Sequence, residues 1–305
     1  MYLTHFGLRH RPFRSGPDPE SYYPATGHEL AMANLRDGLA EDEGVLLLIG
    51  MPGTGKTLLA QRLADSPPAD TRCVFVTHSR LDTRLDLLQM IAYDLELPNE
   101  GKSEHALRIA IIENCVARFQ NDERTLFLFD EAHHLGIDLL EELRLLSNLE
   151  GHQGKVVQIV LVGLPRLLET LQKVELEALQ QRIGVTALLM PLDPNESADY
   201  ILHQLRAAGG RPERIFAPEA LELLTGQGIP RVLNQLGHAC LKIAAQNELK
   251  QVDAEVAIEV IERRVPTEFT IHHGQNGRSG LSSDTKSDET SSRLLIYGDV
   301  QTPVA

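Results

Sequence analysis

The chain has 305 residues, enough at about 150 per domain for two domains or one large one. Its 29 Lys and Arg against 43 Asp and Glu give a formal net charge of -14, which argues against a chain whose main task is neutralising a phosphate backbone unless positive charge is concentrated locally. With 42% hydrophobic and 24% charged residues the composition is globular, and no stretch approaches the roughly 20 apolar residues of a membrane-spanning helix.

The N-terminus, Met1 to Phe6, lacks the charged head and apolar core of a signal peptide. Three widely separated cysteines, Cys73, Cys115 and Cys240, have no metal-ligand spacing, so packing thiols in a reducing compartment, the cytoplasm, are expected. Residues 1–43 read as an arm containing His10-Arg11-Pro12-Phe13, followed by a helix over His28–Ala40. From 44 to 192 strand-like apolar runs at Val45–Ile49, Cys73–Thr77, Leu126–Phe129, Gln158–Val162 and Thr186–Met190 alternate with amphipathic stretches such as Leu85, Leu88, Ile91, Ala92 and Leu95. That alternation predicts an α/β fold, a parallel sheet with helices on both faces. From 193 to 265 the pattern is helical only, at Asn195–Ala208, Pro218–Thr225, Ile229–Asn247 and Asp253–Arg263, which predicts a small all-α lid domain. Residues 266–305, polar and rich in Ser and Gly, are expected to form a disordered tail.

The strongest chemical signal is Gly50-Met51-Pro52-Gly53-Thr54-Gly55-Lys56-Thr57, which fits G-x-x-x-x-G-K-(S/T) between the first strand and an apolar helical stretch opening at Leu58. Glycines let successive N–H groups turn inward around phosphate, the following helix presents the positive end of its dipole, Lys56 supplies charge to the β and γ phosphates, and Thr57 offers a hydroxyl to Mg²⁺. The nucleotide-binding set is thus Gly50, Pro52, Gly53, Thr54, Gly55, Lys56, Thr57 and Leu58, with ATP and Mg²⁺ as cofactors. About 70 residues on, the run Leu126 to Phe129 ends in Asp130-Glu131. Asp130 would hold the metal, with Thr57, and Glu131 would polarise an attacking water. The tetrad Asp130-Glu131-Ala132-His133 spells the DEAH box of certain helicases, but those need a second strand-rich domain, and after Met190 the chain is helical. His133 and His134 lack acidic or thiol partners at ligand spacing, so polar loop residues are expected there. Two distal arginines suit a γ phosphate: Arg182 in Gln181-Arg182-Ile183 and Arg231 in Gly228-Ile229-Pro230-Arg231, each of which on position alone could equally be a solvated helix residue.

The span from Tyr2 to about Arg264 resembles the AAA+ ATPases of the general secretion pathway protein A (ExeA-like) family. The resemblance is carried by Phe6-Gly7-Leu8, Pro12-Phe13, Pro17-Asp18-Pro19 and Tyr22-Tyr23. It continues through Gly50 to Thr57, Asp130 to His133, Leu143 to Glu150, Val160 to Gly163, Gln181 to Ile183 and Gly228 to Arg231. It implies a RecA-like P-loop NTPase core with a lid, ATP hydrolysis and a nucleotide-dependent homo-oligomer. In that assembly Arg182 would reach a neighbour's nucleotide and Arg231 would sense the chain's own, with Lys56 and Glu131 completing the catalytic set. The sequence departs from the family where Leu164 replaces a polar Gln after Gly163 and Arg166 replaces an acidic residue. The partner implied belongs to a secretion, pilus or envelope polysaccharide export system. Two other readings stay open: a DNA-associated ATPase of transposition or initiator type, and a nucleotide-gated interaction module with little turnover, the latter motivated by Leu164.

Overall fold

The computed structural model describes residues 2–14, 16, 18–77, 81–152 and 154–264, the last without its side chain. The expected disordered tail lies outside the described residues.

Five strands form one parallel sheet: β1 (Val45–Gly50), β2 (Thr71–Val76), β3 (Arg124–Phe129), β4 (Val157–Gly163) and β5 (Ile183–Leu189), in the order β2-β3-β4-β1-β5. Every residue of β1 and β4 is buried, because helices cover both faces, and this is why these strands read as unbroken apolar runs. Successive side chains still point to opposite faces. Leu46 and Leu48 meet Leu35 and Leu39 of the helix Thr26–Ala40 and Leu59 and Leu63 of the helix Lys56–Asp65. On the other side Val45, Leu47 and Ile49 share a core with Leu87 and Ile91 (helix Arg84–Asp94), Leu107 and Ile111 (helix Glu104–Gln120), and Leu140 and Leu143 (helix Ile137–Ser147). A two-residue hairpin, Glu150–Gly151 with Gly154–Lys155, stands outside the sheet and has no counterpart in the sequence reading.

The C-terminal part is helical: Pro194–Ala207, Pro212–Ile215, Pro218–Thr225, Pro230–Gln246 and Ala254–Arg264. Asp193 caps the first of these by accepting from the Glu196 amide at 2.8 Å, with Pro194 at the position where its missing N–H costs nothing. Its core is separate from the sheet and includes the N-terminal arm: Tyr2, Leu8, Phe13 and Ala25 lie among Tyr200, Ile201, Phe216, Leu236 and Leu241. The arm side chains thus pack with the helical part, whereas Leu35 and Leu39 of the helix that follows the arm pack on the sheet. Gly237 makes the room for Phe13, whose ring carbon would lie 2.6 Å from a Cβ there, and Arg9 N–H donates to the Ala208 carbonyl at 2.8 Å.

Candidate functional site

The parallel sheet sends the C-terminal ends of β1, β3 and β4 to one edge, and the site is built on that edge. After Gly50 the chain turns through Met51 to Gly55 and enters the helix Lys56–Asp65. Gly53 (φ +84°) and Gly55 (φ +102°) adopt left-handed backbone that other residues reach only with strain. A Cβ at Gly55 would also lie 2.8 Å from His28 Nε2, and one at Gly53 2.7 Å from Arg231 Cβ. No side chain caps this helix, so its first amides remain available to an anion.

Within the loop the Thr54 hydroxyl and the Lys56 ammonium both donate to the Met51 carbonyl, each at 2.9 Å. Lys56 is only 5% exposed, and burial pushes its pKa down, opposed by the Glu131 and Asp130 carboxylates. Asp130 is buried beside it; burial raises its carboxyl pKa, and hydrogen bonds from the Thr57 hydroxyl and the Glu131 amide oppose that rise. A carboxylate and a hydroxyl side by side form an oxygen donor set suited to a hard cation. Glu131 leaves β3 in the left-handed region (φ +54°), an uncommon state for a side-chain-bearing residue, and its carboxylate is half-exposed and lines the same cavity as Lys56 and Thr57.

That cavity is about 250 Å³. Its lining includes Gly53, Gly55, Lys56 and Thr57 of the phosphate loop together with Tyr22, Tyr23, Leu192 and Tyr200. The Tyr22 ring lies under the Arg62 guanidinium at 3.8 Å, and its hydroxyl donates to Glu29 at 2.6 Å. The Tyr200 hydroxyl, its pKa pushed up to about 12 by burial, donates to Asn234. A lining that combines a cationic phosphate loop with aromatic side chains matches a nucleotide, which has both phosphates and a planar base. His28, buried in the first turn of its helix, donates from Nε2 to the Thr54 carbonyl at 2.8 Å, bracing the loop from behind.

The structure brings Lys56, Thr57, Glu131 and Arg231 to this one cavity, with Asp130 buried next to it and hydrogen-bonded to Thr57. Arg231, in the first turn of the helix Pro230–Gln246, donates its amide to the Gly53 carbonyl at 3.2 Å. It does not bring Arg182 there: Ile183 pairs with Val45 at the start of β1, so Arg182 sits at the opposite end of the sheet, in a cleft with Glu43, Ser147 and Lys155. Glu131, His133 and His134 have potential ligand atoms within 4.8 Å of one another. Yet His133 Nδ1 accepts the Leu164 amide, so metal binding at Nε2 would leave both ring nitrogens needing a lone pair and break that bond. Burial first, then Arg166 and His134, lowers the His133 pKa to about 4, keeping the ring neutral at pH 7. His28, Tyr22, Tyr200 and Asn234 escaped the motif search for site residues; the Tyr22-Tyr23 pair marked the family resemblance without indicating a role.

Residues 39–171 match the AAA domain family. General secretion pathway protein A of Aeromonas hydrophila is 34% identical over 266 residues, which cover 86% of this chain and 48% of that protein, so the chain spans about half the length of this relative. Among solved structures, Cdc6p from Pyrobaculum aerophilum superposes with a TM-score of 0.62 at 18% identity, covering 86% of this chain and 70% of that one. The Aeropyrum pernix ORC2 protein gives 0.61 at 16% identity, covering 83% and 71%. At such identities the structural likeness is one of fold, a P-loop AAA core with a helical C-terminal part. By its sequence relative and its AAA domain, the chain is an ExeA-like AAA protein, similar to general secretion pathway protein A over about half of that protein's length.

Proposed function

We propose that this protein binds ATP with Mg²⁺, hydrolyses it, and uses nucleotide-dependent self-association to drive or regulate assembly of a protein partner. The observation that carries the reading is that Thr57, hydrogen-bonded to Asp130, the buried Lys56 and the Glu131 carboxylate line one cavity with Tyr22, Tyr23 and Tyr200. Bound Mg²⁺ would neutralise charge on the β and γ phosphates. Thr57 and Asp130 are the residues to hold it, the loop amides and Lys56 hold phosphate, Arg231 senses the γ position from the helical part, and Glu131 accepts a proton from water. Domain limits of 44–192 for the core and 193–265 for the lid belong to the same reading.

Arg182, outside its own chain's cavity, suits a role on a neighbour's nucleotide. The name of the Aeromonas relative favours a partner in a secretion system, with pilus or envelope polysaccharide export as related settings. Among the described residues no helix is long and apolar enough to cross a membrane, and Cys73, Cys115 and Cys240 are free thiols, which suits the cytoplasm. The experiment is ATP binding and phosphate release by wild type and Glu131→Gln. Binding retained with turnover reduced by about 100-fold or more is expected; unchanged turnover would remove Glu131 from the mechanism, and background release by the wild type would leave a nucleotide-gated module instead.

A further inference from the structure

Leu164 is apolar where a polar side chain could link the end of β4 to the reacting water. The structure offers a different link. His133, in the short turn after Glu131, has a side chain only 1% exposed, yet both ring nitrogens are engaged. The Leu164 amide lies 3.3 Å from Nδ1, and Nε2 lies 3.3 Å from Glu131 Oε2. An amide can only donate, so Nδ1 is the acceptor, and the hydrogen of the neutral ring sits on Nε2, facing the carboxylate. The ring thus spans two chain segments with its tautomer fixed by the backbone of one of them.

The segments it joins matter. Phe129, at the end of β3, pairs with Leu161 of β4, and Ile49, at the end of β1, pairs with Gly163. Gly163 also approaches the His133 backbone closely: a Cβ there would lie 3.4 Å from His133 N. The Glu131 turn and the end of β4 therefore meet at one ring, and β4 lies beside the strand that leads into the phosphate loop. Glu131 itself is held in left-handed backbone, an uncommon state that persists only where surroundings over-determine it. A ring N–H 3.3 Å from one carboxylate oxygen is placed to supply one such constraint.

We propose that His133 is a positioning residue for hydrolysis: its Nε2–H holds the Glu131 carboxylate, and the Leu164 amide, acting through Nδ1, ties that carboxylate to the end of β4. This rests on the reading of Glu131 as the group that activates water. The side chain at 164 then need not be polar, because the backbone amide at that position supplies the link and every residue except proline has one.

Two measurements test it. In the nucleotide-free protein labelled with ¹⁵N-histidine, long-range proton–nitrogen correlation should show His133 with a hydrogen-free Nδ1 and a protonated Nε2; the opposite tautomer overturns the proposal. In kinetics, His133→Gln keeps an amide donor long enough to reach Glu131, whereas His133→Asn keeps mainly an acceptor near Leu164. His133→Asn should lose about 100-fold in kcat with ATP affinity unmoved, and His133→Gln should recover much of that loss. Asn performing as well as Gln, or both matching wild type while Glu131→Gln is inactive, overturns the positioning role and leaves the hydrolase reading standing. A wild type that binds ATP without turnover while showing the expected tautomer overturns the hydrolase reading, and with it the kinetic role, but not the hydrogen-bond arrangement.

Discussion

The backbone amide of Arg231 donates to the carbonyl of Gly53 at 3.2 Å, so the helical C-terminal part hydrogen-bonds directly to the phosphate loop. Gly228 prepares this contact: in left-handed backbone, its carbonyl accepts from the Leu192 amide at 2.7 Å, which fixes the approach to the helix Pro230–Gln246. A change in the loop is thereby felt at the first turn of that helix through one peptide group.

Gly53→Ala tests this contact. The new methyl group would meet Arg231 Cβ at 2.7 Å, in backbone with φ +84°, so the substitution combines left-handed strain with a clash. A stability loss of about 1–3 kcal/mol is expected, with ATP binding lost at temperatures where the variant is still folded. Thermal unfolding and nucleotide titration on the same sample check both. Arg231→Ala, which removes the charge and keeps the backbone bond, should spare stability and lower turnover by about 10- to 100-fold.

Arg182 calls for a different experiment, because it stands at the end of the sheet where β5 begins, away from its own chain's loop. If it completes a neighbour's site, Lys56→Ala and Arg182→Ala should each be nearly inactive alone, and a mixture of the two should turn over ATP. In mixed assemblies some interfaces join an intact loop to an intact Arg182. A mixture no more active than its components would assign Arg182 to the Glu43 and Lys155 cleft as a structural residue.

The sheet and the catalytic motif were legible for the same reason: each is a contiguous signal. β1 and β4 are buried on both faces, so their sequences are almost wholly apolar; Asp130-Glu131 follows β3 directly, and Gly50 to Thr57 is one unbroken motif between β1 and a helix. β5 starts at Ile183, three residues before the expected Thr186, because it is an edge strand whose burial alternates and whose second residue is Gly184. The helix Pro212–Ile215 has four residues, too few to display a period. The aromatic lining of the cavity was illegible because Tyr22, Leu192 and Tyr200 come from distant segments. His28 was read only as part of a helix, since a lone histidine in a first turn carries no pattern that reveals its bond to Thr54.

Acid should destabilise the nucleotide-free protein. Burial, first among the causes, depresses the pKa of His28, His133 and His238 below the ordinary 6.5, with His133 at about 4. A ring neutral in the folded chain and protonated in the unfolded one gives stability that is full above the unfolded pKa and is lost as pH falls through 6.5 toward the folded value. Between pH 7.5 and 5.5 this amounts to about 1 kcal/mol for each ring that stays neutral. Urea unfolding at the two pH values measures the loss, and His28→Gln should flatten the dependence; a slope unchanged in that variant would mean that His28 does not contribute.

The buried ion pair between Arg108 and Glu142 gives the sharpest stability prediction. The Glu142 side chain is 0% exposed and accepts from Arg108 Nε at 2.7 Å and Nη2 at 2.8 Å, and the same Nη2 reaches Glu104 at 2.8 Å. These contacts clamp the helix Glu104–Gln120 to the helix Ile137–Ser147, which begins three residues after the turn carrying His133. Arg108→Ala would leave a carboxylate buried without its cation, at a cost of about 3–5 kcal/mol, whereas replacing both partners by apolar side chains removes the unpaired charge and is often neutral. Urea unfolding should therefore show Arg108→Met/Glu142→Leu more stable than Arg108→Ala by at least about 2 kcal/mol. If instead the double variant is the weaker, the pair contributes through its fixed geometry rather than by cancelling a buried charge.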